Sequence, residues 1–135
     1  MNSKERLAWL WPGLLILCIF FVSGTSDLAT PDIDLWLSKD KVGHFFVFGL
    51  LTTSIIRIPF LRRLGLRGAA FAVFLTVAWG GFDEIRQSFT PGRSVELADW
   101  LADASGAIFA GIAYHFWKSY RDNLERPIRK TGNER

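Results

Sequence analysis

From Leu7 to Val22 the chain reads LAWLWPGLLILCIFFV, with no charged residue, and no other feature constrains its fold as strongly. A bilayer crossing takes ~20 predominantly apolar residues, with a range of ~17–25. Three further runs approach that length: Val42–Ile58, broken by His44 near one end and Arg57 near the other; about Gly65 to Phe82; and about Trp100 to Trp117. Of the 135 residues 50% are hydrophobic, and six are Trp and twelve Phe. That load is too apolar and aromatic for a soluble domain of this length, and it excludes disorder. Cys18 is the single cysteine and sits inside the first run, which excludes a disulfide scaffold. No segment alternates like a half-buried strand, and no repeat appears. The expected fold is all-α: one domain over 1–135, a polytopic membrane protein with four transmembrane helices. Pro12 is expected near the start of its helix, where a proline does least harm.

Orientation follows from lysine and arginine in the short flanks. With the N-terminus inside, the inner segments hold 12 of the basic residues and the outer ones only Lys39, Lys41, Arg86 and Arg93. This predicts N-in/C-in, with a net +8 inside and −5 outside. A different reading of residues 1–26 is a cleaved signal peptide, with Lys4 and Arg6 before an apolar core. Its usual small-residue cleavage site is missing, and the other spans keep their orientation either way. Trp9, Trp11 and Trp117 fall at the inner boundary and Trp36, Trp79 and Trp100 at or near the outer one, as membrane-belt residues do. The segment from about 118 to 135 is basic and polar, and reads as a solvated cytoplasmic tail that touches anionic lipid.

Polar residues gather at the outer ends of spans two, three and four. Asp40-Lys41-x-x-His44 opens span two, Asp83-Glu84-x-x-Gln87 closes span three and is followed by Thr90-Pro91-Gly92-Arg93, and Asp99-x-x-x-Asp103-x-x-Gly106 opens span four. Asp40 with His44, Asp83 with Gln87, and Asp99 with Asp103 each share a helix face. Ionisable groups at membrane depth are costly and normally face the bundle interior or a watery cavity, so their convergence marks a candidate site.

Each residue carries a chemical reading and a plainer one. His44 suits a metal ligand, a general base or a donor to phosphate, or simply satisfies Asp40 or a loop carbonyl. Asp83 and Glu84 are candidate catalytic carboxylates, but neighbours on a helix point ~100° apart and do not both face one pocket. Asp83 pairs with Gln87 by spacing, and Glu84 is left to meet Arg86, Arg93 or Lys41. Arg93 and, with weaker geometry, Lys41 suit phosphate or carboxylate binding, or neutralise the acidic outer face. Asp99 is expected to N-cap span four. Asp103, one turn deeper, needs a partner: His44, Arg86 or a bound cation. Gly106-x-x-x-Ala110 and Ala107-x-x-x-Gly111 permit close helix packing, and Gly80-Gly81 lets span three approach a neighbour or kink just below Asp83.

DKVGHFFVFGLL, FDEIRQSFTPGRS and DWLADASGAIFAG resemble, in order and spacing, the signatures of the VanZ-like membrane proteins over about residues 36–113. Arg86 stands where several family patterns carry a histidine, and Asp103 where they carry an asparagine. The resemblance implies a multi-helix protein of the bacterial plasma (inner) membrane and cell envelope, in a family linked to resistance to the glycopeptide teicoplanin.

Three functions fit these residues. In the first, Arg93 and Lys41 bind the anionic headgroup of a lipid-linked envelope precursor while Asp40, Gln87, Asp99 and Asp103 order the site. In the second, His44 with Asp40, Asp83 and Asp99 or Asp103 holds a divalent metal for hydrolysis or transfer on such a lipid. In the third, the polar network only fixes helix register for a partner protein. No nucleotide, redox cofactor or nucleic acid is expected.

Overall fold

The structure, a computed structural model, describes residues 3–24, 39–91 and 95–125. Trp36 and Arg93, and residues 126–135 of the basic tail, lie outside the described residues. Six α-helices follow in order: α1 (Ser3–Ser23), α2 (Lys39–Ile56), α3 (Pro59–Arg63), α4 (Leu66–Gln87), α5 (Leu97–Phe116) and α6 (Lys118–Glu125). The described residues contain no strand, as the uniform apolar runs predicted.

Four of these helices coincide with the apolar runs. α1 and α4 each hold a stretch long and apolar enough to cross a bilayer, Arg6–Ser23 and Leu66–Gln87. α2 and α5 are nearly as long, 18 and 20 residues, but spend their first turns on Lys39, Asp40 and Lys41, and on Asp99 and Asp103. Those turns form the site described below. α3 and α6 were not expected. α3 starts at Pro59, which needs no amide donor in the first turn, and Gly65 (φ 57°) turns the chain from α3 into α4 in a conformation that suits glycine.

α2 is the central helix, packing mainly on α5 and also touching α1, α3 and α4. Phe48, Leu51, Ile55 and Ile56 of α2 meet Ala69 and Ala72 of α4 and Tyr114 of α5 in the core. The small residues of α5 set its approach: a Cβ on Gly106 would lie 2.0 Å from the Phe45 carbonyl oxygen of α2. The small-x-x-x-small reading of α5 thus corresponds to a real backbone contact.

Two expectations are corrected here. Pro12 lies well inside α1 rather than near its start, because the polar residues from Ser3 onward continue the helix outward. And α6 is not free tail: Tyr120 and Leu124 pack against the core, the Arg57 guanidinium donates to the Leu124 carbonyl at 2.8 Å, and the Tyr114 hydroxyl donates to Glu125. Glu125 is also paired with Arg62 at 3.5 Å. The apolar side chains spaced along an otherwise charged segment explain the docking.

Large apolar side chains stay exposed along the outside of the bundle, including Leu7, Trp11, Leu17 and Phe21 of α1, Phe71 and Phe74 of α4, and Ile108 and Phe109 of α5. In water such a surface is an association hazard. In lipid it is the expected exterior.

Candidate functional site

The first turns of α2 and α5 and the last turn of α4 meet at one end of the bundle, and most of the polar residues singled out above come together there. Gly80 makes the approach feasible: a Cβ at this position would lie 2.8 Å from Asp103 Oδ2 and 3.2 Å from the Phe48 ring. Asp83, Glu84, Gln87, Asp99 and Asp103 are all buried, although they are acidic or amide side chains.

Their partners explain that burial. His44 Nδ1 is 2.8 Å from Asp103 Oδ1, so of the three partners that fit Asp103, the structure selects His44. A carboxylate accepts, so Nδ1 donates and Nε2 is turned to the other side, where Asp40 Oδ1 lies 3.9 Å away. Lys41 Nζ sits 3.2 Å from Asp99 Oδ1 and 3.7 Å from Glu96 Oε2. Lys41 lies just before the apolar run of α2. Partial burial alone would lower its pKa, but the hydrogen bond and charge of Asp99, with Glu96 and Asp40 beyond, hold it above the usual lysine value.

The α4 side of the site is a separate knot. Asp83 Oδ1 accepts two bonds from Arg86, at 3.0 Å from Nε and 2.8 Å from a terminal nitrogen, and Asp83 Oδ2 accepts from Gln87 at 3.0 Å. The Asp83–Gln87 pairing was legible in the spacing. The role of Arg86 was not, although its i,i+3 offset from Asp83 was available as a signal. Arg86 also donates to the Ser23 hydroxyl at 2.6 Å and lies 4.4 Å from the Phe20 ring centroid, which ties α1 to the site.

Arg93 lies outside the described residues, and with Lys41 and Arg86 engaged by Asp99 and Asp83, Glu84 turns to the backbone. Its Oε2 accepts the Glu96 backbone N–H at 3.0 Å, clasping the end of α4 to the start of α5. The expected N-cap is also corrected: the residue before α5 is Glu96, without a side-chain cap bond, and Asp99 lies inside the first turn facing Lys41. The helix starts earlier than the apolar run because Leu97 and Ala98 extend it. Trp100, read as a belt residue, donates its indole N–H to the Val77 carbonyl at 3.1 Å.

Ligand atoms of Asp40, His44 and Asp99 all lie within 4.8 Å of one another, one imidazole and two carboxylates, which suits Zn²⁺ or Mn²⁺. Asp83, the fourth candidate ligand, has its oxygens taken by Arg86 and Gln87. Asp103 stands behind His44 and orients it, as carboxylates behind metal-ligating histidines do.

The fold and site define a helical bundle with an apolar exterior and a buried polar end, an arrangement that suggests a membrane protein. The chain belongs to the VanZ/LLP1 family, whose model matches residues 14–118, which embraces the whole polar end. A relative in the fission yeast Schizosaccharomyces pombe, an uncharacterized protein, is 34% identical over 92 residues. That match covers 65% of this chain and 56% of the yeast protein, so the chain spans little more than half of that relative's length. A eukaryotic relative means that the likeness alone does not place the chain in a bacterial envelope. No solved structure matches.

Proposed function

We propose that the protein is a four-span, N-in/C-in membrane protein whose outer polar end holds a divalent cation on Asp40, His44 and Asp99 and, through it, the phosphate headgroup of a lipid-linked envelope component. The observation that carries this reading is the Asp103–His44 bond, which fixes the imidazole with Nε2 on the side of Asp40, in a group where ligand atoms of Asp40, His44 and Asp99 lie within 4.8 Å of one another.

Charge favours a cation as the bridge. Asp40, Asp83, Glu84, Glu96, Asp99 and Asp103 face only Lys41, Arg86 and His44 among the described residues, and Lys41 and Arg86 are already engaged by carboxylates. A bare phosphate meets net repulsion there. A divalent ion offsets two of those negative charges at the point of contact and presents a positive centre to the phosphate, with Lys41 at the rim as a second contact. The bacterial plasma-membrane setting and the link to teicoplanin rest on the resemblance to VanZ-like proteins. The enzymatic version, hydrolysis or transfer on the same phosphate, uses the same three residues, and Glu84, clasped to the Glu96 amide, has no part in it.

A structural role alone makes a different prediction, because Asp83, Asp99 and Asp103 would then matter alike. Elemental analysis of detergent-purified protein separates the two. Wild type and Asp83→Asn are expected to carry close to one equivalent of Zn²⁺ or Mn²⁺, with His44→Ala and Asp99→Asn carrying little. Folded wild-type protein free of divalent metal, even after incubation with either ion, would falsify the proposal.

A further inference from the structure

At the opposite end of the bundle from the polar site, an open groove of about 220 Å³ runs between α4 and α5, and its lining residues are all apolar. Ala69, Ala70 and Gly111 are too small to fill it, and Leu66, Ile112 and Phe116 supply its bulk.

The described basic residues at this end from Arg57 onward fall into two groups. Arg57, Arg62 and Arg121 are engaged, with the Leu124 carbonyl, Glu125, and the Tyr114 and His115 carbonyls respectively. Arg63, Arg67 and Lys118 are exposed, and none of their side chains has an ion pair or hydrogen bond among the described residues. Arg67 follows Leu66 and lies one helical turn from Ala70, and Lys118 is two residues beyond Phe116. Arg67 and Lys118, close in the chain to the lining residues Leu66 and Phe116, therefore lie at the groove's end of the bundle, with Arg63 two residues before the turn at Gly65.

From this juxtaposition we infer that the α4–α5 groove is a binding site for one anionic phospholipid, with an acyl chain along Ala69, Ala70 and Gly111 and the phosphate at Arg63, Arg67 and Lys118. A small-residue groove of this kind also suits a helix from a second copy, but that contact would bring two sets of unengaged cations together. An anionic lipid neutralises them. The inference rests on the membrane reading and is independent of the metal.

Native mass spectrometry of the full chain, released from nanodiscs of equal phosphatidylglycerol and phosphatidylcholine, tests it. Wild type is expected to retain one phosphatidylglycerol in roughly tenfold preference. Arg63→Gln/Arg67→Gln/Lys118→Gln should bring the preference close to unity, and Ala70→Phe, at an exposed position, should lose the retained lipid with helicity and metal content unchanged. Equal retention of the two lipids by wild type, or undiminished retention by Ala70→Phe, overturns the site. So does a dimer that Ala70→Phe dissociates, since the groove would then hold a second copy. A chain that does not enter nanodiscs overturns the membrane reading and the groove together, whereas loss of lipid preference in protein that does enter them overturns the groove alone.

Discussion

Asp83 is 2% exposed, and both of its carboxylate oxygens are engaged, one by Arg86 and the other by Gln87. A buried ion pair contributes less than its Coulomb energy because both charges lose water, yet removing one partner strands the other. Asp83→Asn keeps the shape and removes the charge, leaving Arg86 facing an amide. We expect a loss of about 2–3 kcal/mol of stability, read as a lower midpoint in thermal unfolding in detergent. Adding Arg86→Gln should restore part of it, because no uncompensated charge remains. Additive losses in the double variant would mean that the two side chains are not coupled. His44 differs in kind from Asp83: among the described residues only its Nδ1 is tied within hydrogen-bond distance, and its Nε2 lies 3.9 Å from the Asp40 carboxylate. That asymmetry is why the proposed cation is placed at His44 and not at Asp83, whose oxygens are satisfied within the fold.

Among the helices, the contact between α2 and α5 matters most to the site, because it carries His44 to Asp103 and Lys41 to Asp99. It closes on Gly106, where any side chain would collide with the Phe45 carbonyl. Gly106→Ala is therefore expected to cost about 3 kcal/mol, the upper end of the range for overpacking, and to loosen both pairs. Gly13, on α1, has nothing within 4 Å of a Cβ, so Gly13→Ala should change stability by no more than ~0.5 kcal/mol. Denaturation of the two variants side by side checks this, and equal losses would remove Gly106 from its role. α1 touches the bundle more lightly, and its tie to the site is the pair of contacts that Arg86 makes with Ser23 and Phe20.

For the whole molecule the prediction is topological. The basic residues that bias orientation cluster at the α3–α6 end, and the acidic ones at the end where α4 turns into α5. Cysteines introduced at Thr90 and Ser119 report on the two ends. In intact cells a membrane-impermeant maleimide should label Thr90→Cys, and Ser119→Cys only after lysis. The reverse pattern would invert the protein and place the polar site on the cytoplasmic face. Cys18 lies within the apolar run of α1, so in the bilayer it adds little background.

Hydropathy and spacing are local properties, and what depends on them was legible without coordinates: the all-α class, the positions of the four long helices, the same-face pairs such as Asp83 with Gln87, and the gathering of polar residues at one end. What depends on how helices rotate and how closely they approach was not. His44 and Asp103 are 59 positions apart, and the sequence left three partners open for Asp103. The choice among them was made by the depth to which Gly80 and Gly106 let the helices sink together. In the same way Lys41 was drawn to Asp99, Glu84 to the backbone of Glu96, and Arg86 across to Ser23. α6 is not legible in the sequence because its apolar residues are too few to stand out among charges, and they matter only once a core is present to receive them. A sequence constrains each helix separately, whereas the pairing of buried charges is a property of the interfaces between helices, where side-chain volume decides which groups come within hydrogen-bond reach.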